Sequence, residues 1–312
     1  SWYSQLPYCS HVLPLQGRAA TGDPGRIQLK LLRAWVLIRM LFARRVLITE
    51  TTYLREAAWA KRWRGRRLFL AQFCQELVLP EEYPYERWPE TQKRLAHVPD
   101  LVIDVNARRA SHRQMYYGLD ERPLVLPNTF PLAELPLPAP EGELWRLAEC
   151  PRPLAGIPVL LHAGGVGREK PFERIIEAVA SLGRPCFLLA FCVASKSRVD
   201  GLRKYAADRL PENTFCIRTA VSRESLRAAT GEADIGVVDY AYSVEPTLNQ
   251  KYCEPSKLYE FMASGLAVLG SDNDSMRDII EKNEIGCCAR GDSPGDLAQA
   301  LGRLLDGDLA GM

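Results

Sequence analysis

Histidine and methionine are scarce, four and five in 312 residues. The histidines, His11, His97, His112 and His162, are scattered without zinc-ligand spacing, so no metal centre is expected. The nine cysteines are an odd number and contain no C-x-x-C pair, which excludes a simple disulfide framework, a zinc ribbon and a thioredoxin-type motif. Cys287 and Cys288 are adjacent, and others sit in apolar runs such as 186–192, so reduced, mostly buried thiols of a cytoplasmic protein are expected. No run of about 18 uncharged apolar residues is present, and no signal peptide is visible. G-x-G-x-x-G is missing from every strand-turn-helix, which makes a nicotinamide dehydrogenase the least favoured class.

What is present fits a globular protein of two ordinary domains: 47% hydrophobic and 25% charged residues. The net charge is only +2, but residues 1–70 hold 13 Lys/Arg against 3 Asp/Glu, a balance of +10, so residues 71–312 carry −8. Such asymmetry points to an anionic partner for the N-terminal part. Residues 26–45 read as a basic amphipathic helix, which fits either a membrane interface with outward arginines or packing on a sheet. Peripheral contact with an anionic membrane through 26–67, at the inner face, is therefore one expectation. Trp59 to Arg67 interleaves tryptophan with cations, but Gly65 and the surrounding rhythm favour a solvated helix end, so no nucleic acid is expected as partner.

From Arg45 onward, short apolar runs alternate with helical stretches. Strands are expected at Arg45–Thr49, Leu68–Phe73, Asp100–Val105 and Pro123–Leu126, and one short strand at His11–Leu15 is read among the breakers of the first 26 residues. Residues 129–155 contain Pro131, Pro136, Pro138, Pro140, Pro151 and Pro153, the composition of a connector. A second series of strands follows at Ile157–His162, Cys186–Phe191, Thr214–Ile217 and Asp234–Val238. This alternation implies an α/β fold with parallel sheets, and ligands then sit beyond the carboxyl ends of the strands. There the first half places Glu50, Gln75, Glu76 and Asn106. The second places the turn Ala163–Gly167, where Gly164 and Gly165 permit close backbone approach before a helix opened by Arg168-Glu-Lys-Pro. A tight turn without ligand is the plainer reading of that glycine cluster.

The most informative stretch runs from Glu254 to Ser271. Pro255 suits a first helical position, Leu258, Phe261 and Met262 recur at helical spacing, and Gly265 is placed for a left-handed cap. Leu266–Gly270 then reads as a strand. The helix start brings N–H groups, the Ser256 hydroxyl and the Lys257 ammonium together, an anion site by geometry and charge. Glu260, one turn on, suits ribose or sugar hydroxyls. By itself such a helix is also ordinary surface.

Pro255-Ser-Lys-Leu-Tyr-Glu-Phe-Met-Ala-Ser-Gly-Leu-Ala-Val268 resembles the C-terminal signature of the group 1 (retaining, GT-B fold) glycosyltransferases. The resemblance implies two Rossmann-like domains facing across a cleft, a nucleotide sugar as donor, and no divalent cation. It implies that Glu260 binds the nucleotide ribose and that the helix N-terminus, with Ser256, Lys257 and Leu258, binds the diphosphate. The family's sugar-contacting glutamate eight residues earlier is Tyr252 here, with Glu254 two residues on. Lys170 matches the family lysine on the donor phosphates; the family arginine falls at Gly165, and Arg168 is the substitute. Arg218 follows a strand where the family holds the base. Phe73-Cys-Gln-Glu-Leu77 resembles a stretch that often reads His-Glu, with Gln75 for the histidine, and Leu126-Pro-Asn-Thr129 resembles the family's Val-Pro-Asn-Gly exit from the first domain. The family's opening strand with its Gly-rich acceptor loop, and its closing helix, are not evident at the two ends.

The resulting expectation is an acceptor-side domain at 1–135, a Pro-rich linker at 136–155 and a nucleotide-sugar domain at 156–312. The activity expected is hexosyl transfer in polysaccharide or glycoconjugate biosynthesis, from a UDP-sugar rather than a GDP-sugar. The acceptor is a glycan, a lipid-linked sugar or a small molecule. Lys170, Arg168 and Glu254 are the expected catalytic groups, and Glu50, Gln75, Glu76 and Asn106 the acceptor side. A non-catalytic scaffold on the same fold and a sugar-nucleotide epimerase are the alternatives.

Overall fold

A computed structural model describes residues 26–83, 85–129, 139–167, 171–240 and 246–307, with 26–29 described by backbone only. The strand expected at His11–Leu15 lies outside the described residues. Among the described residues, ten strands form two sheets, and every pairing is parallel. Fold class and strand positions agree with the sequence reading to within a residue or two at most ends.

The first sheet has the order β1-β2-β3-β4, from Arg45–Thr49, Phe69–Cys74, Leu101–Asp104 and Leu124–Val125. Helices α2 (Leu54–Arg64), α3 (Trp88–Leu95) and α4 (Ala107–Tyr117) make the crossovers, and α1 (Arg26–Phe42) packs beside α2. On α2, Leu54, Ala57 and Ala60 are fully buried, and small residues at that spacing let α1 and the sheet come close. Gly65 ends α2 with φ +53°, its N–H bonded to the Lys61 carbonyl, and Asn106 caps α4 by accepting from the Arg109 N–H at 2.8 Å. The core here holds Val36 and Met40 of α1 with Ile48 and Leu70 of the sheet.

The second sheet has the order β10-β9-β8-β5-β6-β7. Its strands are β5 (Val159–Gly165), β6 (Phe187–Val193), β7 (Phe215–Thr219), β8 (Ile235–Val238), β9 (Ala267–Gly270) and β10 (Gly286–Cys288). Helices α5 (Glu143–Ala148), α6 (Phe172–Ser181), α7 (Lys196–Ala207), α8 (Arg223–Ala229), α9 (Leu248–Lys251), α10 (Ser256–Ala263), α11 (Asp274–Ile280) and α12 (Pro294–Asp306) surround it. Alternate residues of each central strand enter separate cores: Leu160, Leu188 and Ala190 join one cluster, while Leu161, Leu189 and Phe191 join the other. Both faces are thus covered, the usual condition of a parallel sheet. α5 falls inside the proline-rich stretch read as linker, and its Leu144, Trp145 and Ala148 enter the second of these cores.

The chain runs outward from β5 to β6 and β7, then returns to lay β8 on the other side of β5. The strand order therefore reverses between β5 and β8, and the crevice beyond their carboxyl ends is where an open α/β sheet binds its ligands. Helix α10 is pressed against β8 by Phe261, only 2% exposed. A β-carbon at Gly236 of β8 would lie 2.3 Å from the Phe261 ring, so glycine is what allows this approach.

Candidate active site

Three segments meet at the reversal point. β5 runs further than expected, through Gly165, so the glycines end a strand instead of forming a free loop. Gly164 has φ +137°, a conformation that side chains rarely adopt, and a β-carbon there would lie 3.5 Å from the Lys257 Nζ. Lys257 comes from the first turn of α10, and its Nζ also stands 5.2 Å from the centre of the Tyr240 ring, just past β8. Beneath it lies Asp239, whose carboxylate pairs with buried Arg174 at 2.6 Å. Burial pushes the Asp239 carboxyl up to about 6, opposed by the positive charges of Arg174 and Lys257. Glycine backbone, a helix N-terminus and an ammonium are thus brought together, a combination suited to an anion. Arg168 and Lys170 lie outside the described residues.

Glu260 sits one turn along α10. Its carboxylate accepts from Arg223 of α8, Nε at 2.8 Å and Nη2 closer still, and Arg223 Nη2 also reaches the Ser256 hydroxyl at 3.3 Å. The Arg223 side chain is 64% exposed, so this ion pair holds little energy and hydroxyl groups can displace it at small cost. Arg223 was not foreseen, because nothing in the local pattern ties position 223 to position 260. Arg218, expected near the base, forms an ion pair with Glu149 at the end of α5. Leu258, expected among the donor contacts, has a fully buried side chain, and its N–H bonds to the Pro255 carbonyl at 3.0 Å. Its part is to seat α10.

Glu254 lies just before α10, accepts from the Tyr259 hydroxyl at 2.8 Å, and is raised by burial to about 7. The Arg109 charge of the first lobe is among the groups acting on it, which places Glu254 at the seam between lobes. That seam is built on α9, part of the loop expected between 240 and 253; residues 241–245 of that loop lie outside the described residues. Asn249 accepts from the Leu77 N–H at 2.8 Å, donates to the Glu76 carboxylate, and accepts from Arg109 at its carbonyl, 2.9 Å. Asn106 donates to the Tyr252 carbonyl at 2.8 Å, and Tyr252 stacks on His112, ring centres 4.8 Å apart. Asn106 is thus a buried tie between lobes, occupied on both sides of its amide, instead of an open acceptor contact. Gln75 uses its backbone: the N–H donates to Glu50 at 2.5 Å and the carbonyl accepts from Arg109.

Glu50 sits in the left-handed region, φ +53°, at the end of β1, where Gln75 and Glu76 both donate N–H groups to its carboxylate. Burial outweighs those bonds and the nearby Arg113, and its carboxyl rises to about 7. Of the acceptor-side residues, Glu50 and Glu76 share one cavity; Gln75 and Asn106 do not line it.

Comparison with known proteins follows the same outline. Residues 157–307 match the family model described as Glycosyl transferases group 1. No curated protein matches the chain in sequence. Among solved structures, Anabaena Alr3699/HepE in complex with UDP-glucose is similar with a TM-score of 0.67 at 15% identity, over 88% of this chain and 72% of that one. A glycosyltransferase from Rickettsia africae ESF-5 is similar with a TM-score of 0.67 at 16% identity, over 93% and 75%. The α,α-trehalose 6-phosphate synthase of Burkholderia multivorans gives 0.64 at 12%, over 93% and 69%. Residues 157–307 thus match the model of the group 1 glycosyl transferases, and the two parallel-sheet lobes have the GT-B fold of these solved structures.

Proposed function

We propose that this chain moves a hexose from a nucleoside diphosphate sugar to an acceptor held by the first lobe, with retention of configuration and without a divalent cation. The observation that carries the reading is the meeting of Gly164, Lys257 and the start of α10 at the strand reversal, with Glu260 one turn away. As the glycosidic bond breaks, negative charge grows on the leaving diphosphate. Lys257, the helix N-terminus and the segment bearing Arg168 and Lys170 would stabilise that charge. Glu260 would take the ribose hydroxyls, releasing Arg223. Ser256 and the Gly164–Gly165 backbone complete the donor side, and Glu254 stands at the seam near the sugar. A UDP-sugar is favoured over a GDP-sugar because the similar Anabaena structure holds UDP-glucose. The division into lobes at 1–135 and 156–312, joined through 136–155, belongs to the same reading.

Hydrolysis of a panel of UDP- and GDP-sugars by the purified chain, with and without EDTA, tests it. Slow, EDTA-resistant release of UDP is the expected result. Binding without turnover would favour the scaffold reading, and conversion of the donor sugar without release would favour an epimerase.

A cytoplasmic location at the inner membrane face is proposed on different grounds. No helix among the described residues is long and apolar enough to cross a membrane. Yet Leu31, Trp35, Ile38 and Phe42 form an exposed stripe on α1 at 65%, 43%, 52% and 81%, and Trp59 and Trp63 of α2 are exposed too. Arg39 of α1, Arg62 of α2 and Arg66 just past α2 add positive charge, the pairing of apolar and basic groups that suits an anionic interface.

A further inference from the structure

A cavity of about 590 Å³ opens at the carboxyl ends of β1 and β2, between the first lobe's helices, with Glu50 and Glu76 on the side nearest the seam. Its charges are arranged unequally. The lining holds three arginines and three glutamates. Arg33 is matched by Glu56 at 3.1 Å. The Glu76 carboxylate takes the Asn249 amide, and Glu50 takes the N–H groups of Gln75 and Glu76. Arg55 by contrast donates only to the Thr91 hydroxyl, 3.0 Å, and no ion pair forms at Arg87 among the described residues. Two guanidinium forks therefore line the cavity without a carboxylate partner among the described residues, and Arg55 belongs to the segment 1–70 whose balance is +10. Trp88, half-buried in the first turn of α3, supplies a flat apolar wall beside them.

We propose that this cavity receives the acceptor, and that the acceptor is a sugar bearing an anionic group, phosphate or carboxylate, bound by Arg55 and Arg87. The inference rests on the sugar-transfer reading above and adds the chemical class of the acceptor. A planar guanidinium matches both anions with paired hydrogen bonds. The indole of Trp88 offers its face to the C–H side of a pyranose. Glu50 and Glu76 are then left for the sugar hydroxyls, close to the seam across which α9 leads into α10. A neutral sugar would leave both guanidinium groups unused.

Calorimetric titration with the donor site filled by saturating UDP tests this on the whole chain. The probes are glucose, glucose 6-phosphate and glucuronate, on the wild type and on the R55Q/R87Q variant, whose two positions are exposed and carry no core contacts. The wild type is expected to prefer at least one of the two anionic sugars to glucose by about ten-fold or more. The variant is expected to lose that preference while keeping its UDP affinity within about two-fold. Whichever of glucose 6-phosphate and glucuronate is preferred identifies the anion. Equal binding of all three sugars, no binding of any, or a preference that survives R55Q/R87Q overturns the inference even if UDP binds. Failure of UDP itself to bind overturns the donor reading and this one with it, and is seen separately in the UDP titration.

Discussion

The two sheets are built from the same alternation of strand and helix, but they treat their faces differently. In the second lobe, residues on both sides of β5, β6 and β8 are buried, and each side has its own core. In the first lobe, Ile48 and Leu70 are buried while their neighbours Leu47 and Phe69 are 47% and 44% exposed, and Leu124 is 55% exposed. The exposed apolar side chains of α1 and α2 belong to the same lobe. Strand β2 is buried on both faces beyond Phe69, so the exposure is confined to the strand starts and the two edge strands of the first sheet, and to α1, which carries apolar side chains on two faces. Among the described residues, the second lobe therefore buries both faces of its sheet, and the first carries the exposed apolar groups on which the membrane proposal rests.

That contrast predicts a steep difference in tolerance. Phe261→Ala should lower stability by about 3–5 kcal/mol, since it empties a buried site against Gly236 and unseats α10. Phe69→Ala, half exposed, should lower it by less than about 1 kcal/mol. Denaturant titration of the two variants checks the comparison, and equal losses would break it.

A second expectation concerns pH. Glu50 of the first lobe and Glu254 at the seam are both raised to about 7 from 4.5 by burial. Between those values the folded chain holds protons that the unfolded chain has released, so stability is greatest below about 4.5 on this account and falls as pH rises to 7. Glu50→Gln should flatten part of that fall and raise stability at pH 8. A stability curve measured from pH 4.5 to 8 that keeps its slope in E50Q would deny Glu50 its part.

The smallest effect expected is at the surface. Trp35→Glu with Phe42→Glu should weaken co-sedimentation with anionic liposomes by about ten-fold, by removing apolar contact and adding repulsion, while leaving UDP binding unchanged. Wild-type binding should also weaken with salt. Binding that ignores salt, or that survives both substitutions, would remove the membrane from the account.

How much of this was legible in the sequence follows from the range of the forces involved. Periodicity located nearly every strand, and the local signals around α10, Pro255 at its start and Gly265 with φ +76° at its end, located that helix. Those are short-range properties of the chain. The pairing of Arg223 with Glu260, the docking of Asn249 on Glu76 and Leu77, and the match of Arg218 with Glu149 join residues far apart in sequence. No local pattern encodes them. Leu258 and Asn106 show the converse, motif or strand-end positions whose burial and backbone partner no local pattern announces.

The central claim is that Lys257, the Gly164 backbone and the start of α10 form one diphosphate-binding hollow. A thermal-shift titration with UDP, on the wild type and on Lys257→Ala, tests it most directly. At UDP about 100-fold above its dissociation constant, the wild type should gain about 2.7 kcal/mol of stability, a rise of several degrees in Tm. Lys257→Ala should lose most of that rise at the same UDP concentration. A wild type that UDP and GDP leave unmoved at millimolar concentration, or a Lys257→Ala variant that responds as fully as the wild type, would contradict the account.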